Sequence, residues 1–362
     1  MDSNRITLKD VSLRSGASLS TVHRALYNKA GVSDELRETI VEIAASMGYK
    51  TNYVASSLKR KTIRLAVVLP SPDRINKYFY RDLWKGLREF KTEIQEFNME
   101  FLEFAFTGSD VNQAKELDKV FNNHADDISG LITISLNDAS ISYLIEKFTS
   151  KNIPVVFISS DLQKSKRLCC VRAHDKIAGS LAAELICNFT QGSGKVVIAA
   201  GDIVTSSHYH NIEGFEDYLS SNNSQLEIIK IYDSENRDSL YASILDALER
   251  NADVRALYSC NARNTVCLCE AAVKMNLQGK ACIVGSDIFE ESVQMLQNNI
   301  LQAIIYKNPY KQAYLGMKML FNYVLKGEYP VNDTTLVVPT IVIKSNLSYY
   351  DNNEINFQSD GS

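Results

Sequence analysis

Short apolar runs alternate with longer stretches of helical periodicity between residues 63 and 306. The runs with strand character lie at 64–69, 99–104, 130–134, 154–158, 195–200, 227–232, 255–260, 281–285 and 302–306. Amphipathic stretches of roughly 10–20 residues separate them, for example Tyr80–Phe97 and Ala178–Thr190. Such an alternation predicts parallel sheets with helices on both faces, and the number of strands predicts two doubly wound sheets.

Residues 1–48 carry a different pattern, which predicts three short helices. Thr7, followed by Asp10 three residues later, resembles a capping box at the start of the first helix. Ser18 and Ser33 are N-cap candidates for the second and third helices, and Gly48 ends the third. The apolar positions predicted to face inward are Leu8, Val11, Leu13, Val22, Ala25, Leu26, Leu36, Ile40, Ile43, Ala44 and Met47. Two helices joined by a tight turn and covered by a third describe a helix-turn-helix module.

The second predicted helix, SLSTVHRALYN at 18–28, has a polar outer face that core packing does not explain. The second helix of such a module enters the major groove of DNA. Ser and Thr side chains are short enough to approach phosphates closely, and an Arg can bond guanine O6 and N7 together. The pattern therefore predicts a recognition helix, and an ordinary capped surface helix stays open as the alternative.

Charge is distributed unevenly along the chain. Residues 1–61 hold ten Lys/Arg and six Asp/Glu, a net charge of +4, whereas the rest of the chain carries −8. A basic head on an acidic body predicts a polyanionic partner for the head alone, although a solvated charged surface would give the same count. The length of 362 residues and the hydrophobic content of 45% indicate two or three well-packed domains.

Composition also bears on location and chemistry. No apolar run approaches the ~20 residues that cross a membrane, and Met1 to Lys9 has no apolar signal region, so we expect a cytoplasmic protein. The seven cysteines are odd in number and lie mostly in apolar runs, as reduced buried thiols do. Zinc-type cysteine pairs, a complete phosphate loop and a nucleophile elbow are missing from the sequence. We therefore expect no metal, no cofactor and no catalytic residues.

The segment YKTNYVASSLKRK at 49–61 contains neither Gly nor Pro and ends in basic residues. Alone it is too short to be a stable helix in water. A linker that folds on binding, with Leu58 as an apolar wedge in the minor groove, accounts for its composition. A plain flexible tether is the alternative.

Polar and aromatic side chains follow the ends of several predicted strands. Ligands of open α/β sheets bind beyond the carboxyl ends of the strands, and with two sheets the natural site is the cleft between them. Hydroxyl groups pair with Asp and Asn, and sugar faces stack on aromatic rings, so these side chains suit a polyhydroxylated ligand. Each of them would serve equally well as a loop or cap residue. The candidates for effector contact are Asn76, Tyr78, Phe79, Asp161, His208, Asn211, Asn261, Asp287 and Asn308.

The stretch ITLKDVSLRSGASLSTVHRALYNKAGVSDELRETIVEIAASMGYKTNYVASSLKRK resembles the lactose/galactose repressor family of bacterial transcription regulators along its whole length. The resemblance implies that Leu19, Ser20 and Arg24 choose bases. His23 stands where the family usually has Ser, and Thr51 replaces its usual Pro. The other implied DNA contacts are Thr21, Asn28 and Ser33 at phosphates, Leu8, Ser18, His23 and Tyr49 in the head, and Asn52, Ala55 and Leu58 in a hinge helix.

The body resembles the effector domain of the same family, which is similar to periplasmic sugar-binding proteins. The stretches NKYFYRDLWKGL, HDKIAGSLAAELI and SHYHNIEGF carry the likeness. Asn211 replaces an Arg that often binds sugar in the family, Ala262 replaces an expected Asp, and Asn308 replaces a usual Gln. The resemblance therefore implies a sugar-type cleft without its usual cation, unless His208, His210 or Arg172 substitutes for it.

The predicted layout is an N-terminal all-α helix-turn-helix head (1–49), a hinge helix (50–61), an α/β effector and dimerisation body (62–348) and a polar tail (349–362). The body is expected to consist of two doubly wound parallel-sheet subdomains, like a periplasmic binding protein. The family topology implies crossings near residues 160, 307 and 335. Subdomain one would then hold 62–159 and 308–335, and subdomain two 160–307 and 336–348.

The predicted function is a ligand-controlled DNA-binding regulator, with repression as the favoured sign. It would act as a homodimer on a palindromic double-stranded operator. A small-molecule effector in the cleft, preferably a neutral sugar or polyol, would order or melt the two hinge helices. A purine or other metabolite as effector, a solute-binding receptor and a sugar-processing enzyme stay open as alternatives, and no membrane partner is expected.

Overall fold

The structure, a computed structural model, describes residues 6–49, 61–73, 77–107, 110–202, 205–233 and 236–351. Three helices form the head: α1 (Leu8–Ser15), α2 (Leu19–Leu26) and α3 (Asp34–Ser46). Their apolar faces meet in one small core around Val11, Val22 and Ile40, which are fully buried. The prediction of three helices is confirmed.

The head helices begin at their predicted caps. Thr7 and Asp10 form the capping box, and the backbone N–H of Thr7 donates to Oδ2 of Asp10 at 2.7 Å. Oγ of Ser18 accepts from the N–H of Thr21 at 3.1 Å, and Oγ of Ser33 accepts at 3.4 Å from the N–H three residues further on. These bonds satisfy N–H groups that a helix start leaves without an intrahelical partner.

The body alternates strands and helices. Its strands are β1 (Ile63–Pro70), β2 (Met99–Phe106), β3 (Ile128–Thr133), β4 (Val155–Ile158), β5 (Cys169–Ala173), β6 (Ser193–Gly201), β7 (Gln225–Tyr232), β8 (Val254–Ser259), β9 (Cys282–Ser286), β10 (Ala303–Tyr306), β11 (Thr334–Val337) and β12 (Thr340–Val342). Its helices are α4 (Lys77–Glu93), α5 (Asp110–His124), α6 (Asp138–Ser150), α7 (Asp175–Thr190), α8 (Ser206–Ser221), α9 (Arg237–Arg250), α10 (Ala262–Lys274), α11 (Glu290–Gln297), α12 (Pro309–Lys326) and α13 (Ser348–Asp351).

The strands form two six-stranded sheets, as the alternation predicted. Sheet one has the order β11-β5-β4-β3-β1-β2, and sheet two has the order β12-β10-β9-β8-β6-β7. All neighbours are parallel except β10 and β12, which are antiparallel. Successive residues of one strand, such as Val67 and Val68, enter two different apolar cores, so each sheet is covered on both faces. The two doubly wound sheets of the predicted fold class are confirmed.

The chain crosses between the subdomains three times, but two crossings differ from the expected positions. Strand β5 pairs with β4 and β11, so sheet one continues to Ala173 and the first crossing follows this residue instead of lying near residue 160. The second crossing lies between β10 and α12, as expected near residue 307. The third falls between Val337 and Thr340, beyond the expected residue 335. The pattern missed β5, β11 and β12, strands of 5, 4 and 3 residues whose apolar runs are interrupted by Arg172 or begin at Thr residues.

Candidate functional site

Helix α2 presents its polar face to solvent. Leu19 is 52% exposed, and Ser20 and Arg24 are also exposed, whereas Val22 and Ala25 are buried on the inner side. Ser20 and Arg24 are four residues apart and therefore lie one above the other on the helix surface. The structure thus leaves the three expected base-reading side chains outside the head core, as a recognition helix requires.

Some of the other expected DNA contacts also stabilise the head. Oγ of Ser18, the cap of α2, lies 2.8 Å from Oγ1 of Thr21. The ring of His23 lies against that of Tyr27, with centroids 4.5 Å apart, and Tyr27 is 8% exposed. His23 therefore covers an edge of the head core, which accounts for a ring at this position.

The remaining head candidates differ in their surroundings. Leu8 and Tyr49 are half-buried against the head core. Asn28 adopts the left-handed conformation (φ 48°), and its side-chain amide donates to the carbonyl of Gly327 at 3.3 Å, a contact between head and body. The hinge candidates Asn52, Ala55 and Leu58 lie outside the described residues.

Arg37 on α3 is a structural residue of the head that the sequence pattern does not reveal. Its guanidinium donates to the carbonyls of Arg24, Ala25 and Lys29 at 3.2, 3.1 and 2.7 Å. These carbonyls lie at and just beyond the end of α2, where backbone acceptors lack intrahelical donors. Arg37 therefore fixes the end of α2 onto α3, and no local pattern marks such a contact between helices.

The predicted cleft is present between the two sheets, as a cavity of about 310 Å³. Subdomain one contributes an aromatic and hydroxyl wall, and subdomain two contributes a wall rich in charged and amide groups. The lining residues are Tyr78, Phe79, Tyr80, Ser135, Leu136, Ser159, Ser160, Asp202, Thr205, Ser207, His208, Asp233, Asn261, Ala262, Arg263, Asp287 and Lys307. Rings on one side and hydrogen-bonding groups on the other suit a polyhydroxylated ligand.

Asp287 and Lys307 form a buried pair on the wall of subdomain two. They follow β9 and β10, two neighbouring strands of sheet two, and are 1% and 8% exposed. Nζ of Lys307 lies 3.3 Å from Oδ2 of Asp287 and donates to the carbonyl of Cys260 at 3.0 Å. Burial acts to lower the pKa of Lys307, but the carboxylates of Asp287 and Asp175 outweigh burial, so the pKa rises and Lys307 stays charged.

His208 on α8 is held as a neutral donor. Its Nδ1 accepts from the backbone N–H of Asp202 at 3.0 Å, which leaves the proton of the neutral ring on Nε2. Burial, helped by the charge of Lys307, lowers the pKa of His208 to about 4. The ring fits because Gly201 (φ 73°) has no Cβ, which would lie 2.5 Å from Nδ1.

The other polar groups of this wall are also held in place. Oδ1 of Asn261 accepts from the N–H of Asn264 at 2.9 Å and so caps α10. Asp233 accepts from the guanidinium of Arg263 and, at 2.5 Å, from the amide of Asn264. Lys307, Asp233 and Arg263 were absent from the predicted set. Asp233 and Lys307 directly follow the predicted strands at 227–232 and 302–306, so the strand-end signal could have found them, whereas Arg263 lies inside α10.

Three expected effector residues do not line the cavity. Asp161 forms an ion pair with Arg167, whose Nη2 lies 2.7 Å from Oδ2, and both side chains are 6% exposed. Oδ1 of Asn211 accepts from the hydroxyl of Tyr258 at 2.7 Å inside subdomain two. Asn308 caps α12, because its Oδ1 accepts from the N–H three residues further on at 2.9 Å. Asn76 lies outside the described residues, whereas Tyr78, Phe79, His208, Asn261 and Asp287 line the cavity.

Two contacts join the subdomains at the rim of the cleft. Nζ of Lys77 on α4 lies 2.5 Å from Oε1 of Glu291 on α11. The ring of Tyr78 lies 4.7 Å from that of Phe289, centroid to centroid. These two side-chain contacts therefore hold the two subdomains together at the rim of the cleft.

The described ranges hold no grouping of three His, Cys, Asp or Glu side chains of the kind that a metal ion needs. The seven cysteines are all free thiols, and only Cys187 is not buried. Within the same ranges, no helix has the length and apolar character of a membrane span.

A helix-turn-helix head on a two-sheet body with a ligand cleft defines a ligand-responsive DNA-binding regulator. Two protein families match the chain accordingly: "Bacterial regulatory proteins, lacI family" over residues 7–52, and "Periplasmic binding protein domain" over residues 67–328. The chain therefore carries a DNA-binding head of the lacI-family type, and its body belongs to the periplasmic binding protein domain family.

Curated relatives include regulators. A catabolite control protein A of Priestia megaterium is 25% identical over 68% of this chain and 69% of its own. The one from Staphylococcus xylosus is 22% identical over 92% of this chain and 96% of its own, and the ribose operon repressor of Bacillus subtilis is 31% identical over 43% and 44%. Among solved structures, GanP, a glucose-galactose binding protein from Geobacillus stearothermophilus, covers 80% of this chain and 99% of its own, with a TM-score of 0.69 and 24% identity.

Proposed function

We propose that this protein is a transcriptional repressor whose affinity for its operator is set by a sugar or polyol bound in the cleft. The observation that carries the proposal is the cavity itself, in which Tyr78 and Phe79 face the buried pair of Asp287 and Lys307. The names of a ribose operon repressor and of a glucose-galactose binding protein among similar proteins support a sugar as the ligand.

The head would read DNA through α2. Leu19, Ser20 and Arg24 would choose bases, Thr21, Asn28 and Ser33 would bind phosphates, and Leu8, Ser18, His23 and Tyr49 would line the same interface. Residues 50–61 would form the hinge helix, with Asn52, Ala55 and Leu58 in the minor groove. Two copies of the chain related by a two-fold axis would bind a palindromic operator.

The effector contacts would come from Tyr78, Phe79, His208, Asn261 and Asp287, with Lys307 added to them. Binding would hold the subdomains in one relative position and thereby change the order of the hinge helices, which couples the cleft to DNA. The protein would act in the cytoplasm on DNA and would catalyse no reaction.

The first test is a thermal-shift screen of the full chain against neutral sugars, polyols, sugar acids and nucleobases. A bound effector raises the melting temperature in proportion to its affinity and concentration. We expect neutral sugars or polyols to raise it, whereas a shift with nucleobases alone would replace the sugar by a purine. Unchanged sugar concentrations on incubation would agree with a regulator, and any product would contradict it.

The second test selects the operator from a random duplex library and measures binding over a range of salt. We expect a palindromic site, two chains per duplex, and affinity that falls steeply as salt rises, because Lys and Arg displace counterions from phosphates. The hit from the thermal screen should change that affinity. Binding that is insensitive to salt and to every ligand would contradict the proposal.

A further inference from the structure

The pair of Lys307 and Asp287 has unused hydrogen-bonding capacity in the cavity wall. An ammonium group has three N–H donors, and Lys307 directs one of them to the carbonyl of Cys260. Oδ1 of Asp287 accepts from the backbone N–H of Lys307 at 3.2 Å. Its Oδ2 is buried and, among the described residues, has no hydrogen-bond partner, since the Nζ at 3.3 Å is not in hydrogen-bond geometry.

A buried carboxylate oxygen without a partner is costly, so a ligand that supplies a donor there gains affinity. A hydroxyl group fits both needs, because it donates to Oδ2 of Asp287 while it accepts from another N–H of Lys307. A ligand carboxylate or phosphate fits only Lys307, and it would bring negative charge against Asp287.

The charges of the whole cavity wall also favour a neutral hydroxyl group over a carboxylate or phosphate. The lining includes three carboxylates, Asp202, Asp233 and Asp287, and two cations, Arg263 and Lys307. Both cations already face a carboxylate, since Arg263 binds Asp233 and Lys307 pairs with Asp287. An anionic ligand would therefore find no unpaired cation among these lining residues, and it would meet the negative charge of the carboxylates with weak screening.

We propose that Lys307 is a specificity-determining residue that, together with Asp287, binds one hydroxyl group of a neutral polyhydroxylated ligand and excludes its acidic and phosphorylated derivatives. The inference rests on the proposed function, because it takes the cleft to be the effector site. It adds that the ligand is neutral, and it names the two side chains that distinguish a neutral ligand from an acidic one.

Substitutions of the two members of the pair predict different changes in binding. Lys307→Gln removes the cation and leaves Asp287, so the neutral ligand binds more weakly and anions stay excluded. Asp287→Asn leaves Lys307 without its carboxylate, so an acidic ligand can now supply the missing charge. A purely structural role for the pair would weaken neutral and acidic ligands by the same factor.

The experiment is titration calorimetry of the full chain with probe pairs that differ in charge: glucose and glucuronate, galactose and galacturonate, ribose and ribose 5-phosphate. For the neutral probe that binds best, we expect Lys307→Gln to cost about 10- to 100-fold in affinity, the worth of a hydrogen bond to a charged group. We expect Asp287→Asn to shift the ratio of acidic to neutral affinity by about 10-fold toward the acid. Lys307→Arg, which keeps the charge, should retain the preference for neutral probes.

Lys195→Gln is the matched control, because Lys195 forms an ion pair at 3.1 Å with Asp253 in subdomain two and does not line the cavity. It should leave every affinity unchanged. Should Asp287→Asn not fold, as circular dichroism would reveal, the Lys307→Gln and Lys307→Arg arms still decide the question.

The outcomes separate this inference from the proposed function. If the wild type prefers an acidic probe, or if the variants weaken both members of a probe pair equally, the role of Lys307 is refuted while regulation by a sugar stands. If the wild type binds no probe of either charge, the proposed sugar response fails, and the inference fails with it.

Discussion

The head and the cleft place their candidate functional groups in opposite environments. On α2, Leu19, Ser20 and Arg24 are exposed and come from one short helix. In the cleft, Asp287 and Lys307 are 1% and 8% exposed and come from different strand ends. Asp287 already accepts from the backbone N–H of Lys307, and the ammonium of Lys307 already donates to the carbonyl of Cys260. A DNA-binding surface needs exposed side chains that can extend to the bases, whereas a small-ligand cleft needs polar groups that the fold already holds in position.

This contrast predicts how substitutions behave. In the head, losses should be local to one base pair or one helix, because the reading groups act separately. In the cleft, removing one member of a buried ion pair should leave the other member's charge uncompensated, which is destabilising. Stability and ligand specificity should therefore change together.

The largest effect is expected for Asp287→Ala. It leaves the ammonium of Lys307 buried without its carboxylate, which should destabilise the body by about 3–5 kcal/mol. Asp253→Ala is the matched control, since the carboxylate of its pair with Lys195 is 61% exposed and the loss should stay within about 1 kcal/mol. Urea unfolding of both variants measures the difference, and equal losses would remove the contrast between buried and exposed pairs.

The next effect is a pH dependence from His208. Its pKa is lowered to about 4, so between pH 6.5 and 4 the unfolded chain binds a proton that the folded chain does not. Stability should therefore fall as pH falls through this window, on the order of 3 kcal/mol from this group.

The contribution of His208 is best measured by comparison with His208→Gln. Half-buried Asp82 and buried Asp175, whose pKa values burial raises to about 6, act in the opposite direction over part of the same window. Melting curves at several pH values should show the wild type losing stability relative to His208→Gln on acidification. His210→Gln, on the same helix, is the control, and parallel curves for all three proteins would refute the role of His208.

In the head, Arg24→Ala should cost ~1–3 kcal/mol of DNA affinity at one base position and relax specificity there. Binding to operators that carry single base changes measures this. Lys29→Ala, which removes an exposed cation just after α2, is the control and should weaken all duplexes alike. A uniform loss for Arg24→Ala would mean that Arg24 contacts phosphate only.

Arg37→Ala should loosen the end of α2 without touching the outer face of that helix. The loss of its bonds to three carbonyls should cost about 1–2 kcal/mol of head stability. Hydrogen exchange of the α2 amides in the full chain should speed up accordingly. Arg14→Ala, which removes an exposed side chain of α1, should leave those amides protected. Equal exchange in both variants would count against the role of Arg37 at the end of α2.

The smallest effect is expected at the rim of the cleft. A double-mutant cycle of Lys77 and Glu291 should give a coupling of about 0.2–1 kcal/mol in ligand affinity, and the coupling should shrink with salt. The pair of Lys119 and Glu116, which lies within α5, is the control because it joins no two subdomains. A coupling as large as the effect expected for the buried pair of Asp287 and Lys307 would contradict the prediction that the rim pair behaves as an exposed one.

Much of the fold could be predicted because it is local. The caps Thr7, Ser18 and Ser33 act within three residues, and nine strands are long enough to show their apolar runs. The first crossing was misplaced because β5 belongs to sheet one only through its pairing with β4 and β11. Pairing between distant segments leaves no period in the chain.

The same distinction applies to the candidate sites: the DNA-binding face could be predicted from local spacing, and the cleft lining only in part. The exposed face of α2 follows from helical spacing alone, so the sequence is enough to place Ser20 and Arg24 on it. Asp161 follows β4 and Asn308 caps α12, as expected, but Asn211 lies inside α8. None of the three lines the cavity, because each is bound elsewhere by Arg167, Tyr258 or its own helix.

By itself, the sequence determined the order of the elements, the helix-turn-helix head, the two parallel sheets and the polar face of α2, because these depend on residue spacing within one segment. Only the tertiary structure decided which polar groups meet in the cleft. It placed Lys307 beside Asp287 and fixed the neutral ring of His208 against Asp202. Lys307 and Asp287 come from two different strand ends, whereas Asp202 and His208 are only six residues apart. In both pairs the charge and donor states depend on burial, which no linear pattern specifies.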